Sequence, residues 1–138
     1  MAELFSDGWA KAWGEELGRS EAYRRASERW EGPVLFRLRG WERSVYLDLW
    51  HGECRAARAA DEGDRESARF ILSADLPTWL SVLDGTIAPL PAVMRGRLRL
   101  EKGKLSALMP YTAAARELVQ AATCLETEIP AENEEGAP

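Results

Sequence analysis

Two neighbouring segments of alternating polarity constrain the fold more than any other feature of this chain. Residues 34–38 and 45–49 each place an apolar side chain at every second position, which is the pattern of a β-strand with one buried face. Residues 40–43, which begin with Gly40, lie between the two segments. The arrangement therefore predicts a β-hairpin.

Three further segments are predicted to extend this hairpin into a sheet. Residues 53–60 form a weaker strand candidate with small side chains, whereas residues 67–74 form a stronger one with Phe70 and Leu72 on one face. Residues 97–103 alternate again, with Leu98 and Leu100 facing inward. We expect a largely antiparallel sheet with one polar side.

Helices are predicted before and after the sheet from caps and from apolar spacing. Ser6 and Ser20 are suited to cap two N-terminal helices, which we expect to form a lid or arm, and Asp75 is suited to cap a helix over residues 76–83. Residues 86–95 are apolar but contain Pro89 and Pro91, so we expect a loop and a turn there. A closing helical region begins near residue 104 and carries apolar side chains three or four positions apart.

The charge distribution divides the chain into a neutral body and an acidic end. Five of the 23 acidic residues lie in residues 126–138, which hold no Lys or Arg, so residues 1–125 carry 18 acidic and 18 basic groups. We expect residues 1–125 to form one domain and residues 126–138 to be a disordered acidic tail. A neutral body gives no electrostatic reason to expect a nucleic-acid partner.

Targeting signals and cofactor motifs are not recognisable in the sequence. No apolar run approaches the roughly 20 residues of a transmembrane segment, and the N-terminus lacks the pattern of a secretory signal, so we expect a cytoplasmic protein. Cys54 and Cys124 are the only cysteines, and their separation does not suit a metal site. No Gly-rich phosphate loop is present. We therefore expect no cofactor and no metal.

Apolar side chains between residues 70 and 119 exceed what covering one sheet requires, and the chain as a whole contains six tryptophans. Trp9, Trp13 and Trp30 are expected to lie in an aromatic core. The Pro-interrupted segment and its methionines suit the wall of an adaptable apolar pocket. The predicted lining residues are Trp79, Leu80, Leu83, Ile87, Val93, Met94, Leu108 and Met109.

Residues 68–120, ARFILSADLPTWLSVLDGTIAPLPAVMRGRLRLEKGKLSALMPYTAAARELVQ, resemble the sterol carrier protein 2 (SCP2) superfamily. The similar features are a strand, a short helix that ends in an apolar residue, an acidic residue and Gly, a variable segment, a Gly-flanked basic strand and a C-terminal helix. Residues 20–36 resemble the two-helix opening of stand-alone bacterial members. The Glu-rich end lacks the peroxisomal signal of eukaryotic relatives, which favours a bacterial cytosolic protein.

The resemblance implies an α+β fold in which a five-stranded, largely antiparallel or mixed sheet is covered on one face by helices. It also implies a hydrophobic tunnel for a sterol-like molecule, a fatty acid, an acyl-CoA or a phospholipid, and activity without a cofactor.

Three functional hypotheses follow from these features. The first is non-catalytic binding, with or without transfer, of a lipid in the predicted pocket. The second is a protein-interaction or homodimerisation module without a ligand, in which exposed aromatic residues such as Trp41 and Trp50 form the interface. The third is an enzyme that uses His51 with Cys54, three residues away.

Overall fold

The hairpin that the alternating segments predict is present and forms the centre of the main sheet. The computed structural model describes residues 2–130. Its strands are β1 (Ala2–Glu3), β2 (Glu31–Leu38), β3 (Arg43–Trp50), β4 (Glu53–Ala59), β5 (Phe70–Ala74), β6 (Arg99–Lys102) and β7 (Thr127–Glu128). Strands β2 and β3 pair antiparallel with Val34 opposite Leu47.

The main sheet has five strands in the order β4-β3-β2-β5-β6. Strands β2 and β5 pair parallel, with Val34 opposite Phe70, and the other neighbours pair antiparallel. The sheet is therefore mixed. A parallel pair cannot be joined by a tight turn, and here β3 and β4 lie in sequence between its two strands.

The helices are α1 (Asp7–Arg19), α2 (Glu21–Ala26), α3 (Asp64–Ser67), α4 (Leu76–Leu83), α5 (Pro89–Met94), α6 (Leu105–Leu108) and α7 (Thr112–Thr123). A 3-10 turn, Met109–Tyr111, joins α6 to α7. The three predicted caps are confirmed, because the side chains of Ser6, Ser20 and Asp75 accept hydrogen bonds from the backbone at the starts of α1, α2 and α4.

Helix α1 is part of the core, which corrects the expectation of a lid or arm. Trp13 is 1% exposed, and its ring lies 5.0 Å from that of Phe36 in β2. Apolar side chains spaced four residues apart give α1 one continuous apolar face, and burial of that face on the sheet is strongly favoured. Helix α2 packs against α7.

Residues 89–94 form a short helix, where the sequence predicted a loop and a turn. Pro89 and Pro91 both lie in the first turn of α5. A proline in the first turn loses no helical hydrogen bond, because the first amide groups of a helix have no partner within it.

Residues 127–128 are paired rather than disordered, because β7 lies parallel to β1 with Ala2 opposite Thr127. The predicted disordered tail therefore does not hold at these two residues. Residues 131–138 of the predicted tail lie outside the described residues.

The two faces of the main sheet differ in polarity, as the alternating strands predict. One face packs against α1 and α4 through side chains such as Phe36, which contacts both Trp13 and Trp79. The other face carries a small apolar patch of Leu35, Ala68 and Ile71 and ion pairs such as Arg37 with Glu101. The core therefore lies between the sheet and one layer of helices.

Candidate functional site

An apolar cavity of about 60 Å³ lies between the core face of the sheet and helices α2, α4, α5 and α7. Its wall consists of apolar and aromatic side chains with one serine, and no charged residue of the described chain takes part. The nineteen lining residues are Tyr23, Ser27, Trp30, Val34, Phe36, Leu49, Leu72, Trp79, Val82, Pro89, Leu90, Val93, Leu98, Leu108, Tyr111, Ala114, Ala115, Leu118 and Val119.

The floor of the cavity is the sheet. Val34 and Phe36 of β2, Leu49 of β3 and Leu72 of β5 line it. Residues two apart in a strand point to the same side of a sheet, and Phe36 lies opposite Leu72 in the parallel pairing. The period-two pattern in the sequence therefore supplies an apolar floor.

Trp79 forms part of the wall and is held in a fixed orientation. It lies in α4, is 3% exposed, and its indole Nε1 donates a hydrogen bond of 2.8 Å to the backbone oxygen of Arg37. Its ring stands edge-on to Phe36 at 6.0 Å. The polar atom of the indole is thus satisfied away from the cavity, which leaves an apolar surface toward it.

Trp30 forms another part of the wall, although the sequence assigned it to the core alone. Its Nε1 donates to the backbone oxygen of Gly32 at 2.8 Å. Its ring meets Tyr111 edge-on at 4.7 Å, and the guanidinium of Arg69 lies 5.0 Å from the ring centroid. A buried tryptophan can serve the core and a cavity at once, so its sequence spacing alone gives no sign of the second use.

The hydroxyl groups of the cavity wall either donate hydrogen bonds to the backbone or are un-ionised. Ser27 donates to the backbone oxygen of Tyr23 at 2.6 Å, and Tyr111 donates to the backbone oxygen of Arg29 at 3.2 Å. Burial raises the pKa of Tyr23 to about 12, so its hydroxyl is un-ionised at neutral pH. An ionised ligand group would find no counter-charge in this wall, whereas an alkyl chain or ring system suits it.

The predicted pocket residues are partly brought together. Trp79, Val93 and Leu108 line the cavity. Leu80 and Leu83 are half-buried against the core, and Ile87 is buried beside it. Met94 and Met109 are 63% and 49% exposed, and each directly follows a lining residue.

The lining residues that the sequence did not indicate come mainly from α2, β2, β3, β5, α7 and the short segments beside them, together with Val82 of α4 and Leu98. A signal for those of α7 and of the turn before it was available in the spacing of Tyr111, Ala114 and Leu118. The same spacing is typical of a helix that packs fully on a sheet, because spacing shows which side of a helix is buried but not whether a cavity lies beneath it.

His51 and Cys54 form hydrogen bonds with different groups. The ring nitrogens of His51 lie 2.8 Å from the backbone oxygen of Glu28 and 2.6 Å from a carboxylate oxygen of Glu31. Burial raises the pKa of the Cys54 thiol to about 11, so the thiol is protonated at neutral pH and is a poor nucleophile. Among residues 2–130, no group of three potential metal ligands is close enough to hold a metal ion.

The two tryptophans assigned to an interface have local partners. Trp50 is 38% exposed, and the guanidinium of Arg55 lies 4.8 Å from its ring centroid. Trp41 is half-buried and packs against the main core.

The model of the SCP-2 sterol transfer family matches residues 13–115. This chain belongs to the SCP-2 sterol transfer family. The resemblance seen in residues 68–120 is thereby confirmed, and the α+β fold with a five-stranded mixed sheet is the one that its structural relatives share. Within residues 2–130, no helix has the length and hydropathy needed to cross a bilayer.

Two solved structures resemble this SCP-2 family member in both sequence and fold. A crystal structure of sterol carrier protein 2 is 46% identical, with a TM-score of 0.80 over 88% of this chain and 98% of that one. A solution structure of a conserved hypothetical protein from Thermus thermophilus is 43% identical, with a TM-score of 0.81 over 91% of this chain and 92% of that one.

A more distant structure shares the fold. Sterol carrier protein-2 from Aedes aegypti, solved in complex with the C16 fatty acid palmitate, is 13% identical, with a TM-score of 0.53 over 86% of this chain and 97% of that one. No curated protein sequence matches the SCP-2 family member described here.

Proposed function

We propose that this protein binds the apolar part of a lipid reversibly in the cavity beside Trp79 and acts as a carrier, not as a catalyst. The observation that carries the proposal is the uncharged, almost wholly apolar wall of nineteen residues inside an SCP-2 fold. Such walls favour ligands that are transferred from water by the hydrophobic effect.

Residues 2–130 contribute no charged side chain to the cavity wall, which limits the kinds of ligand that can enter it. An ionised headgroup is costly to bury without a partner, and no Lys, Arg, Asp or Glu of the described chain lines the cavity. A fatty acid, acyl-CoA or phospholipid would therefore place its chain inside and its headgroup outside, whereas a sterol-like molecule could enter more completely. The Aedes aegypti relative was solved with palmitate, which belongs to the first of these groups.

The size of the cavity requires that it widen when a ligand enters. Its volume of about 60 Å³ is smaller than the engineered cavity of about 150 Å³ that accommodates benzene. Two elements of the wall are short and contain few buried residues, since α5 has six residues with Leu90 and Ala92 buried and α6 has four with Leu108 buried. Short segments with few buried contacts open at low free-energy cost, so we infer that α5 and α6 move outward on binding.

The energetics of the proposal are favourable. Removing a methylene from water contributes about 0.8 kcal/mol, so a sixteen-carbon chain gains roughly 12 kcal/mol before costs. Ordering the chain and widening the cavity offset part of this gain. We therefore expect a net binding free energy of about −8 kcal/mol, which corresponds to a Kd near 1 μM.

Tryptophan fluorescence tests the proposal directly, because Trp30 and Trp79 line the cavity. Titration with palmitate, palmitoyl-CoA and a sterol should change the emission of the native protein. The change should shrink in Trp79→Phe and Trp30→Phe, and it should persist in the matched control Trp50→Phe, whose ring lies outside the wall.

Two results would contradict the carrier proposal. One is a flat titration with every lipid class, together with native purification that yields no bound lipid by mass spectrometry. The other is a response that Trp50→Phe removes and Trp79→Phe keeps. A flat titration combined with a stable dimer in light scattering would favour the interaction-module hypothesis.

A further inference from the structure

We propose that the edge of the molecule around Met94 and Met109 docks on the surface of an anionic lipid bilayer. This edge, called the methionine edge below, consists of residues 94–97 and 104–116. The proposal rests on the proposed function in one respect, since a bilayer is the source or acceptor of the bound lipid.

Exposed apolar side chains are the first observation. Met94 and Met109 are the two most exposed large apolar side chains near the cavity, at 63% and 49%. Met94 follows the lining residue Val93 at the end of α5, and Met109 follows the lining residue Leu108 at the end of α6. Flexible, unbranched methionine side chains suit an irregular apolar medium.

Local charge is the second observation. The methionine edge contains four basic residues and no acidic residue, in a chain whose overall net charge is −5. Glu101, which lies in sequence between its two ranges, is paired with Arg37 and Arg65. Within residues 2–130 the exposed side chains of Arg95, Arg97, Lys104 and Arg116 form no ion pair.

Charge complementarity decides between occupants of the methionine edge. An anionic bilayer attracts basic side chains and accepts apolar ones below its headgroups. A second copy of the chain would make a symmetric contact in which each patch faces itself, and the unpaired arginines would then repel one another. The bilayer therefore satisfies both the methionines and the cations, whereas self-association satisfies only the methionines.

Docking at this edge would also place the cavity against the lipid source. The lining residues Val93 and Leu108 each precede an exposed methionine. An alkyl chain could then pass between bilayer and cavity while its headgroup stays at the bilayer surface. This path agrees with a cavity wall to which the described chain contributes no charged residue.

Vesicle co-sedimentation tests the proposal with the full chain. The native protein should bind vesicles of equal parts phosphatidylglycerol and phosphatidylcholine at low salt, and binding should be much weaker with pure phosphatidylcholine or above about 0.5 M salt. Arg95→Gln/Arg97→Gln should lower binding about 30-fold, at about fivefold for each cation removed. Met94→Ser/Met109→Ser should lower it about tenfold.

Matched controls separate this surface from net charge and from surface hydrophobicity in general. Arg19→Gln/Arg55→Gln removes the same charge from α1 and from the opposite edge strand of the sheet, and Ile129→Ser removes an exposed apolar side chain elsewhere. Both should bind vesicles as the native protein does. Equal losses in test and control variants would overturn the proposal.

The outcomes also distinguish docking from lipid binding. Palmitate titration without vesicles should be the same for the native protein and for Arg95→Gln/Arg97→Gln. A protein that takes up palmitate but does not bind anionic vesicles overturns the docking proposal alone, and the reverse result overturns the proposed function alone. A dimer in light scattering that Met94→Ser/Met109→Ser dissolves, without vesicle binding, would assign the edge to self-association.

Discussion

The indole Nε1 of Trp79 donates a hydrogen bond of 2.8 Å to the backbone oxygen of Arg37. This bond fixes α4 to β2, two elements that lie 42 positions apart at these residues. It also sets the angle at which the Trp79 ring faces the cavity. We expect Trp79→Phe to lower the free energy of unfolding by about 2 kcal/mol, because a buried hydrogen bond and part of a ring are lost.

Urea unfolding at pH 7 measures this effect, with Trp50→Phe as the control. Trp50 is 38% exposed, so its replacement should change the free energy of unfolding by less than about 0.5 kcal/mol. Equal stabilities for the native protein and Trp79→Phe would show that the bond does not fix α4.

Filling the cavity should exclude the ligand. Ala115 of α7 lines the cavity, whereas Ala113 of the same helix is exposed and does not. Ala115→Leu adds three carbon atoms to the wall, so we expect palmitate binding to weaken at least tenfold. Ala113→Leu should bind as the native protein does. Calorimetric titration of both variants checks the difference, and equal affinities would place the bound chain elsewhere.

Asp64 should contribute stability that depends on pH. Arg58 donates to both of its carboxylate oxygens at 2.7 and 2.9 Å, and the backbone amide of Asp61 donates at 2.7 Å. The hydrogen bonds from Arg58 lower the pKa of Asp64 most, followed by the one from Asp61. A lowered pKa means that this stabilisation is complete above the ordinary aspartate value near 3.9 and is lost as the pH falls through the lowered value.

We therefore expect Asp64→Asn to cost about 2 kcal/mol at pH 7. The difference from the native protein should shrink well below pH 4, as the native carboxylate itself becomes protonated. Unfolding by urea at several pH values measures the trend. Glu21→Gln, which breaks the exposed pair with Arg25, should have little effect at any pH. A cost that stays constant down to pH 2 would contradict the assignment.

The two thiols should differ in reactivity. Burial raises the pKa of Cys54 to about 11, while Cys124 is exposed at the end of α7. Since the thiolate is the reactive form, a disulfide reagent at pH 8 should modify Cys124 quickly and Cys54 only slowly. Denaturant should remove the difference. The variant Cys124→Ser reports on Cys54 alone, and Cys54→Ser reports on Cys124 alone. Equally rapid modification of the two folded variants would contradict the buried position of Cys54.

Gly103 and Gly85 offer a matched pair for separating backbone strain from steric clash. Both have a positive φ, 96° and 86°, so alanine is strained by about 1 kcal/mol or slightly more at either position. A Cβ at Gly103 would also overlap the ring of Phe70, whereas at Gly85 it would meet no atom within 4 Å. Phe70 is 1% exposed and stacks against Trp30 at 5.3 Å, so it has little room to move.

We expect Gly85→Ala to lower the free energy of unfolding by about 1 kcal/mol and Gly103→Ala by about 2 to 4 kcal/mol. Thermal unfolding with palmitate present and absent should also show weaker lipid binding for Gly103→Ala, because Phe70 would press on the cavity wall formed by Trp30. Equal costs for the two variants would mean that Phe70 relaxes freely.

The strands of the main sheet and three helix starts could be predicted because their signals are local. Alternation in residues 34–38 and 45–49 gives the hairpin, and Ser6, Ser20 and Asp75 give three helix starts, all confirmed. The parallel pairing of β2 with β5 could not be derived from local pattern, since alternation is the same in both directions. Helix α5 was missed because proline was treated as a breaker, although its position in the first turn makes it compatible with a helix.

The sequence predicted a cavity wall within residues 79–109, whereas the wall in the structure also includes residues before and after this range. Trp79, Val93 and Leu108 line it, as proposed from the sequence, and Met94 and Met109 lie outside it. The number of apolar residues in a sequence indicates how much apolar surface must be buried, but it does not show which side chains will border a cavity. Such a space depends on how distant elements fit together, as with Trp30 and Tyr111, which are 81 positions apart and meet edge-on.

The cavity forms only when distant parts of the chain fold together, as the parallel pairing of Val34 with Phe70 shows. Its lining residues begin at Tyr23 and end at Val119, so no fragment that lacks either half of the described chain contains it. A ligand in the cavity therefore binds the native state and not the unfolded chain. Its binding raises the free energy of unfolding by an amount that grows with the logarithm of the ligand concentration. Lipid supply and the population of folded protein are thereby thermodynamically linked.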